Sequence, residues 1–197
     1  MSGDASFTSN ALWRGTSLTD DTATVQGTIG IEYESGLYAG MWGTGLTNGT
    51  EIDLYLGYTT ELSGIKIDMG YVDYSYTGPD SNGNYEHRFN EFGEIYAGAA
   101  YNVGVELGVI IYKGVMSKDE DSTIIEATVG KDFEVAYVNA AFGYQLDSDI
   151  RDAAGEYYSM TVGKSFEAIK GDLFLTYANT TADGSDSVYA LTYTTSF

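Results

Sequence analysis

The chain has no cysteine. This excludes a disulfide framework, a thiolate nucleophile and a Cys-ligated metal centre, and is compatible with an envelope compartment. Only 1 proline occurs in 197 residues, the texture is even from end to end, and no linker interrupts it. Residues 1–197 therefore read as a single domain. Basic side chains are scarce, 9 against 29 acidic ones, for a formal charge of −20. Such a surface repels phosphate backbones, which argues against nucleic acid as a partner and favours cations. The longest apolar run, 107–112, is far short of the roughly 20 residues a membrane-spanning helix needs. Residues 1–4 show neither a basic start nor an apolar core, so the expectation is a mature chain behind an added start methionine. The single histidine, His87, lies in a loop, and no serine motif is tied to it. The expectation is therefore no enzyme, no cofactor and no metal site.

What the chain has in quantity is tyrosine and glycine: 18 Tyr and 25 Gly, with 8 Phe and 2 Trp. This composition suits pleated strands joined by tight turns, and repeated tyrosine suits aromatic girdles at a membrane surface. Period-two patterning predicts about twelve strands, near 5–15, 22–34, 37–46, 51–62, 65–77, 89–101, 103–115, 122–131, 133–146, 157–166, 171–180 and 187–197. An even number returns the chain to its starting side, as a closed outer-membrane barrel requires.

The connectors alternate in length. Compact ones lie at Ser35-Gly36, Ser63-Gly64, near Asn102, near Asp132 and at 167–170; longer acidic ones lie at 16–21, 78–88, 116–121, 147–156 and 181–186. The short stretch 47–50 is the exception. This asymmetry predicts periplasmic turns on one side, extracellular loops on the other, and both termini periplasmic.

Alternation within strands sorts the faces. Ile65, Ile67, Met69 and Tyr71 alternate with Lys66, Asp68 and Gly70; Val103, Val105, Leu107 and Val109 alternate with Gly104, Glu106 and Gly108. Val25, Ile29, Ile31 and Tyr33 stand against Gln26, Thr28, Gly30 and Glu32, and Ile52, Leu54, Leu56 and Tyr58 stand against Glu51, Asp53, Tyr55 and Gly57. At the C-terminus, Tyr189, Leu191, Tyr193 and Thr195 alternate with Ala190, Thr192, Thr194 and Ser196 before a final Phe197. A soluble barrel would bury its apolar face and keep its charges in water. Here the polar faces carry Gly, Thr and charge, and a terminal aromatic closes the last strand. The predicted fold is an all-β, transmembrane, antiparallel up-and-down barrel in a bacterial outer membrane, with the apolar faces outward.

A family likeness sharpens this. Residues 9–17, Gln26-Gly27, the run from Glu34 to Trp42 and the run from Glu51 to Tyr58 resemble the TorF-type porins, small bacterial outer-membrane proteins of poorly defined function. The resemblance is densest over 7–76 and continues weakly through 94–98 to the C-terminus. It implies location more than chemistry and carries over no catalytic or ligand residue.

The candidate pore lining is Glu32, Asp53, Lys66, Asp68, Glu94, Glu106 and Glu126, a set that favours cations. A two-residue turn at Ser63-Gly64 sets Glu61 opposite Lys66 as a structural pair. A competing reading makes the charges a solvated or ion-paired plug, because about twelve strands enclose a narrow interior. Loop ligand candidates are Arg14, Asp80, Asp119 and Asp121, toward lipopolysaccharide, anionic solute or divalent ions. For Arg14, pairing with Asp20 or Asp21 is the structural alternative. The alternating Asp80, Asn82, Asn84 and Glu86 fail the calcium-loop spacing, since Gly83 and Glu86 come too early. Trp13, Tyr33, Tyr38, Trp42, Tyr58, Tyr71, Tyr101 and Phe133 read as girdle residues, with Ser35-Gly36 pairing Tyr33 to Tyr38 on the outer face.

The sequence thus leads to a monomeric barrel in lipid and lipopolysaccharide that passes small polar or cationic solutes. The alternative is a closed structural or adhesin-like barrel whose acidic loops bind lipopolysaccharide, ions or envelope partners.

Overall fold

The computed structural model describes residues 1–79, 85–115, 122–146, 155–181 and 186–197, with 85–91 described by backbone only. Twelve antiparallel strands close into one barrel. In chain order they are β1 (Ser2–Thr8), β4 (Thr24–Glu32), β5 (Leu37–Leu46), β6 (Gly49–Leu62), β7 (Ile65–Pro79), β8 (Tyr85–Asn102), β9 (Glu106–Val115), β10 (Thr123–Asp132), β11 (Tyr137–Gln145), β12 (Glu156–Phe166), β13 (Gly171–Thr180) and β14 (Val188–Ser196). Two further short strands, β2 (Leu12–Trp13) and β3 (Thr16–Ser17), pair only with each other. Each barrel strand pairs with its chain neighbour, and β1 pairs with both β4 and β14.

The seam at the two ends of the chain is fully bonded. Asp4 lies opposite Ser196, and beyond it Gly3 and Phe197 exchange backbone hydrogen bonds of 3.0 and 2.9 Å. Gly3 has to be small, since a Cβ there would lie 2.7 Å from the Phe197 ring. Closure leaves no edge strand with unpaired backbone, which is the condition for a sheet to stand in hydrocarbon.

The pleat sorts side chains as the alternation predicts. Val25, Ile29, Met41, Leu54, Leu56, Met69, Ile95, Leu107, Val109, Val129, Phe142, Met160, Leu175 and Leu191 all stand exposed on the outer face. Leu56, at 59% exposure, is typical. A belt of this extent left in water would far exceed the few hundred Å² (roughly) of apolar patch a soluble monomer tolerates, whereas lipid accepts it. The inner face is held by hydroxyl contacts: Ser6 with Thr194 and Thr8 with Thr192, both at 2.8 Å, and Thr161 with Thr176 at 3.0 Å. Glycines on this face make room for rings; a Cβ at Gly143 would collide with Tyr157, and one at Gly57 with Tyr38.

Two expectations change. The first strand was expected over 5–15 but stops at Thr8, because the Thr8 hydroxyl donates to the Asn10 carbonyl at 2.8 Å and turns the chain inward. The second concerns Tyr38. Tyr33 N–H donates to Leu37 O, and Gly36, at φ +92°, donates to Tyr33 O, so the loop contains three residues rather than two. Tyr38 then faces Glu32 instead of Tyr33, and a one-residue slip moves its ring from the outer face to the lumen. Trp42, opposite Asp53, takes the inner parity too. At Ser63-Gly64, by contrast, φ values of +54° and +82° make the expected tight turn, with Glu61 opposite Lys66.

Candidate functional site

The segment between β1 and β4 folds into the barrel. Asn10 is its hub: Oδ1 accepts from Ser17 Oγ at 2.6 Å and Thr19 Oγ1 at 3.0 Å, while Nδ2 donates to Asp21 Oδ1 at 2.6 Å. Thr8, Asn10, Ala11 and Thr19 are all buried. From this base the β2–β3 hairpin projects, its tip made by Arg14 and Gly15 at φ +44° and +86°, the signature of a type I′ turn. The tip rests on the wall two and three strands from β1: a Cβ at Gly15 would overlap the Asn179 carbonyl on β13 and touch Tyr157 on β12. Glycine serves there both for its positive φ and for that close approach.

From the tip, Arg14 reaches to β8. Its Nη1 and Nη2 donate to Glu94 Oε1 and Oε2 at 2.9 and 2.7 Å, a bidentate pair with a fully buried carboxylate. Tyr74 Oη donates to the same Glu94 Oε2 at 2.8 Å. The guanidinium also lies over the Trp13 and Tyr112 rings, 4.5 and 4.9 Å from their centroids. Next to this knot, Tyr157 Oη donates to Glu126 Oε2 at 2.6 Å. The lumen is thus crossed by a latch that runs from β12–β13 through the hairpin to β8.

Toward the short-turn end lies a cavity of about 870 Å³, lined among others by Glu32, Lys66, Asp68, Ala100, Gly108, Tyr112, Glu126 and Thr128. On its wall, Asp68 Oδ1 accepts from Tyr38 Oη at 2.7 Å, and the Tyr38 hydroxyl also meets that of Tyr96. Lys66 bonds Glu106 at 3.1 Å, and both side chains are about half or more exposed.

Each sequence candidate now has a place. Glu32, Lys66, Asp68 and Glu126 border the cavity. Glu94 is taken by Arg14, and Asp53 sits half-buried higher on β6 with Oδ1 unpartnered. Asp80, Asp119 and Asp121 lie outside the described residues, as does the His87 side chain. Two pairings need correction. Arg14 is neither a free loop cation nor paired to Asp20 or Asp21, because the inward hairpin carries it to Glu94 while Asn10 engages Asp21. Lys66 is aligned with Glu61 as expected, yet its ion pair is with Glu106, two strands away on β9. Sequence reasoning missed the inward tyrosines Tyr74, Tyr112 and Tyr157. The available signal was parity: Tyr112 shares the face of Glu106 and Gly108, and Tyr74 that of Lys66 and Asp68.

Comparison with known proteins agrees with this architecture. A family model described as a bacterial protein of unknown function (Gcw_chp) matches residues 1–197. The chain belongs to that family. None of the curated proteins matches it in sequence. Among solved structures, the KdgM porin superposes with a TM-score of 0.70 at 9% identity, covering 100% of this chain and 99% of the porin. The NanC porin gives 0.60 at 11%, covering 98% and 97%. The COG4313 outer membrane channel from Pseudomonas putida F1 gives 0.55 at 13%, covering 100% and 94%. At such identities the likeness is one of fold: this Gcw_chp chain has the closed twelve-strand barrel of outer-membrane porins.

Proposed function

We propose that this Gcw_chp protein is an outer-membrane channel for passive diffusion of small polar solutes, with cations preferred and the inward hairpin as its constriction. The short turns and both termini are periplasmic in this reading, and the barrel acts as a monomer. The observation that carries it is the sorting of the wall: an apolar outer belt encloses an inner face bearing Glu32, Asp53, Asp68, Glu106 and Glu126 against Lys66 and the already paired Arg14. Field lines from such carboxylates concentrate in a narrow, low-dielectric tube and raise the local cation concentration. The TorF-type resemblance of residues 7–76 points the same way. The KdgM porin has been seen in complex with disordered oligogalacturonate; a polyanion of that kind would be repelled by this lining, so the solutes differ although the fold is shared.

The test is single-channel recording of the refolded protein in planar bilayers, with reversal potential under a salt gradient. Discrete steps with a cation-directed reversal potential are expected. Equal cation and anion permeability would remove the selectivity. Insertion without conductance would favour a second reading, a closed structural barrel, for which the hairpin across the lumen is the specific observation.

A further inference from the structure

On β6, above the latch, two carboxylates share the inner face: Glu51 and Asp53, two residues apart and hence about 6.5 Å from each other along the strand. Glu51 is only 5% exposed; Tyr76, opposite it on β7, hydrogen-bonds its carboxylate, while its Oε2 has no hydrogen-bond partner, and Asp53 Oδ1 is also buried and unpartnered. A buried carboxylate oxygen without a partner is costly unless a proton or a cation reaches it. Asp53 keeps part of its surface open, which leaves the pair a way in.

The neighbours indicate which cation. In the strand register Asp53 is flanked by Trp42 on β5 and Tyr74 on β7. Directly opposed residues bring Cβ atoms to about 5 Å, so Trp42 and Tyr74 project from either side of Asp53, the Tyr74 ring having one face stacked on Phe92 at 5.2 Å. Carboxylate plus aromatic face is the chemistry that takes an organic cation, through a charge-assisted hydrogen bond and a cation–π contact. Calcium or magnesium would need more oxygens, and among the described residues no cluster of three acidic or histidine side chains is gathered. The protein supplies its own precedent next door: Arg14 lies over Trp13 and Tyr112 and bonds Glu94, to which Tyr74 also donates.

We infer that Glu51 and Asp53, bordered by Trp42 and Tyr74, form a lumenal binding site for an organic cation bearing a guanidinium or primary ammonium group. The inference deepens the channel reading and rests on it for the solute's route, while binding itself can be measured on the folded protein whether or not it conducts.

Methylguanidinium and its neutral isostere N-methylurea are titrated into the refolded, detergent-solubilised protein by calorimetry at constant ionic strength. Saturable binding of methylguanidinium is expected, with none of N-methylurea. Glu51→Gln/Asp53→Asn should weaken binding at least tenfold, and Glu167→Gln, in an exposed turn, should leave it unchanged. A readout independent of the carboxylate variants is emission from Trp42 in Trp13→Phe, where it is the sole tryptophan; methylguanidinium should alter it saturably and N-methylurea should not. Absence of saturable binding, binding indifferent to the double substitution, a silent Trp42, or stoichiometric calcium binding that excludes methylguanidinium would each overturn the site. Binding without conductance would keep the site and remove the channel; conductance without binding would do the reverse.

Discussion

Arg14, at the tip of a hairpin between the first two barrel strands, grips Glu94 on β8, 80 residues further along the chain, through two hydrogen bonds of 2.9 and 2.7 Å. Glu94 has no solvent exposure, so the pair is held away from water, where bidentate geometry and the extra Tyr74 donor offset desolvation. Three consequences of this latch and of the charges below it can be measured.

Arg14→Ala leaves Glu94 as a buried charge without its partner, a change that costs about 3–5 kcal/mol in a rigid site. The hairpin can instead swing away and admit water to Glu94, so the expected outcome is a several-fold rise in single-channel conductance with the barrel still folded. Glu94→Gln should widen the path in the same direction. Conductance equal to that of the unsubstituted protein would show that the hairpin does not limit the path.

Gly15→Val tests the other end of the latch. Its φ of +86° is strained for a β-branched residue, and its Cβ would overlap the Asn179 carbonyl. The hairpin is expected to lift off β13 and reproduce the conductance of Arg14→Ala, while outer-belt packing and heat-modifiable gel mobility stay unchanged. Lost gel mobility would mean that the hairpin supports the barrel itself.

Lys66→Ala separates stability from selectivity. Its pair with Glu106 is exposed, so stability should change by less than about 1 kcal/mol. Removal of a positive charge from a cavity bordered by Glu32, Asp68 and Glu126 should nonetheless move the reversal potential further toward cations. An unchanged reversal potential would place the conducting path elsewhere.

The barrel is legible in the residues alone. Closure, strand number and the sorting of faces follow from a period-two pattern that local sterics and lipid enforce on every strand, so Leu54, Leu107 and Leu191 could be placed outside, and Thr192 and Thr194 inside, without coordinates. Most turns were legible for the same reason, since Ser63-Gly64 carries its geometry in its residue types. Contacts between groups distant in the chain were not legible in this way, because they depend on how the closed barrel brings them together. Arg14 could not be assigned to Glu94 because nothing local says that a segment after β1 bends inward; that follows from the Asn10 hydrogen bonds and from the space Gly15 finds against Asn179. Tyr38 crossed from the outer face to the lumen through a single extra loop residue, a slip that parity alone cannot see. The partner of Lys66 lay on β9 because barrel curvature brings long inner side chains together across strands, whereas the pleat fixes only which way each one points.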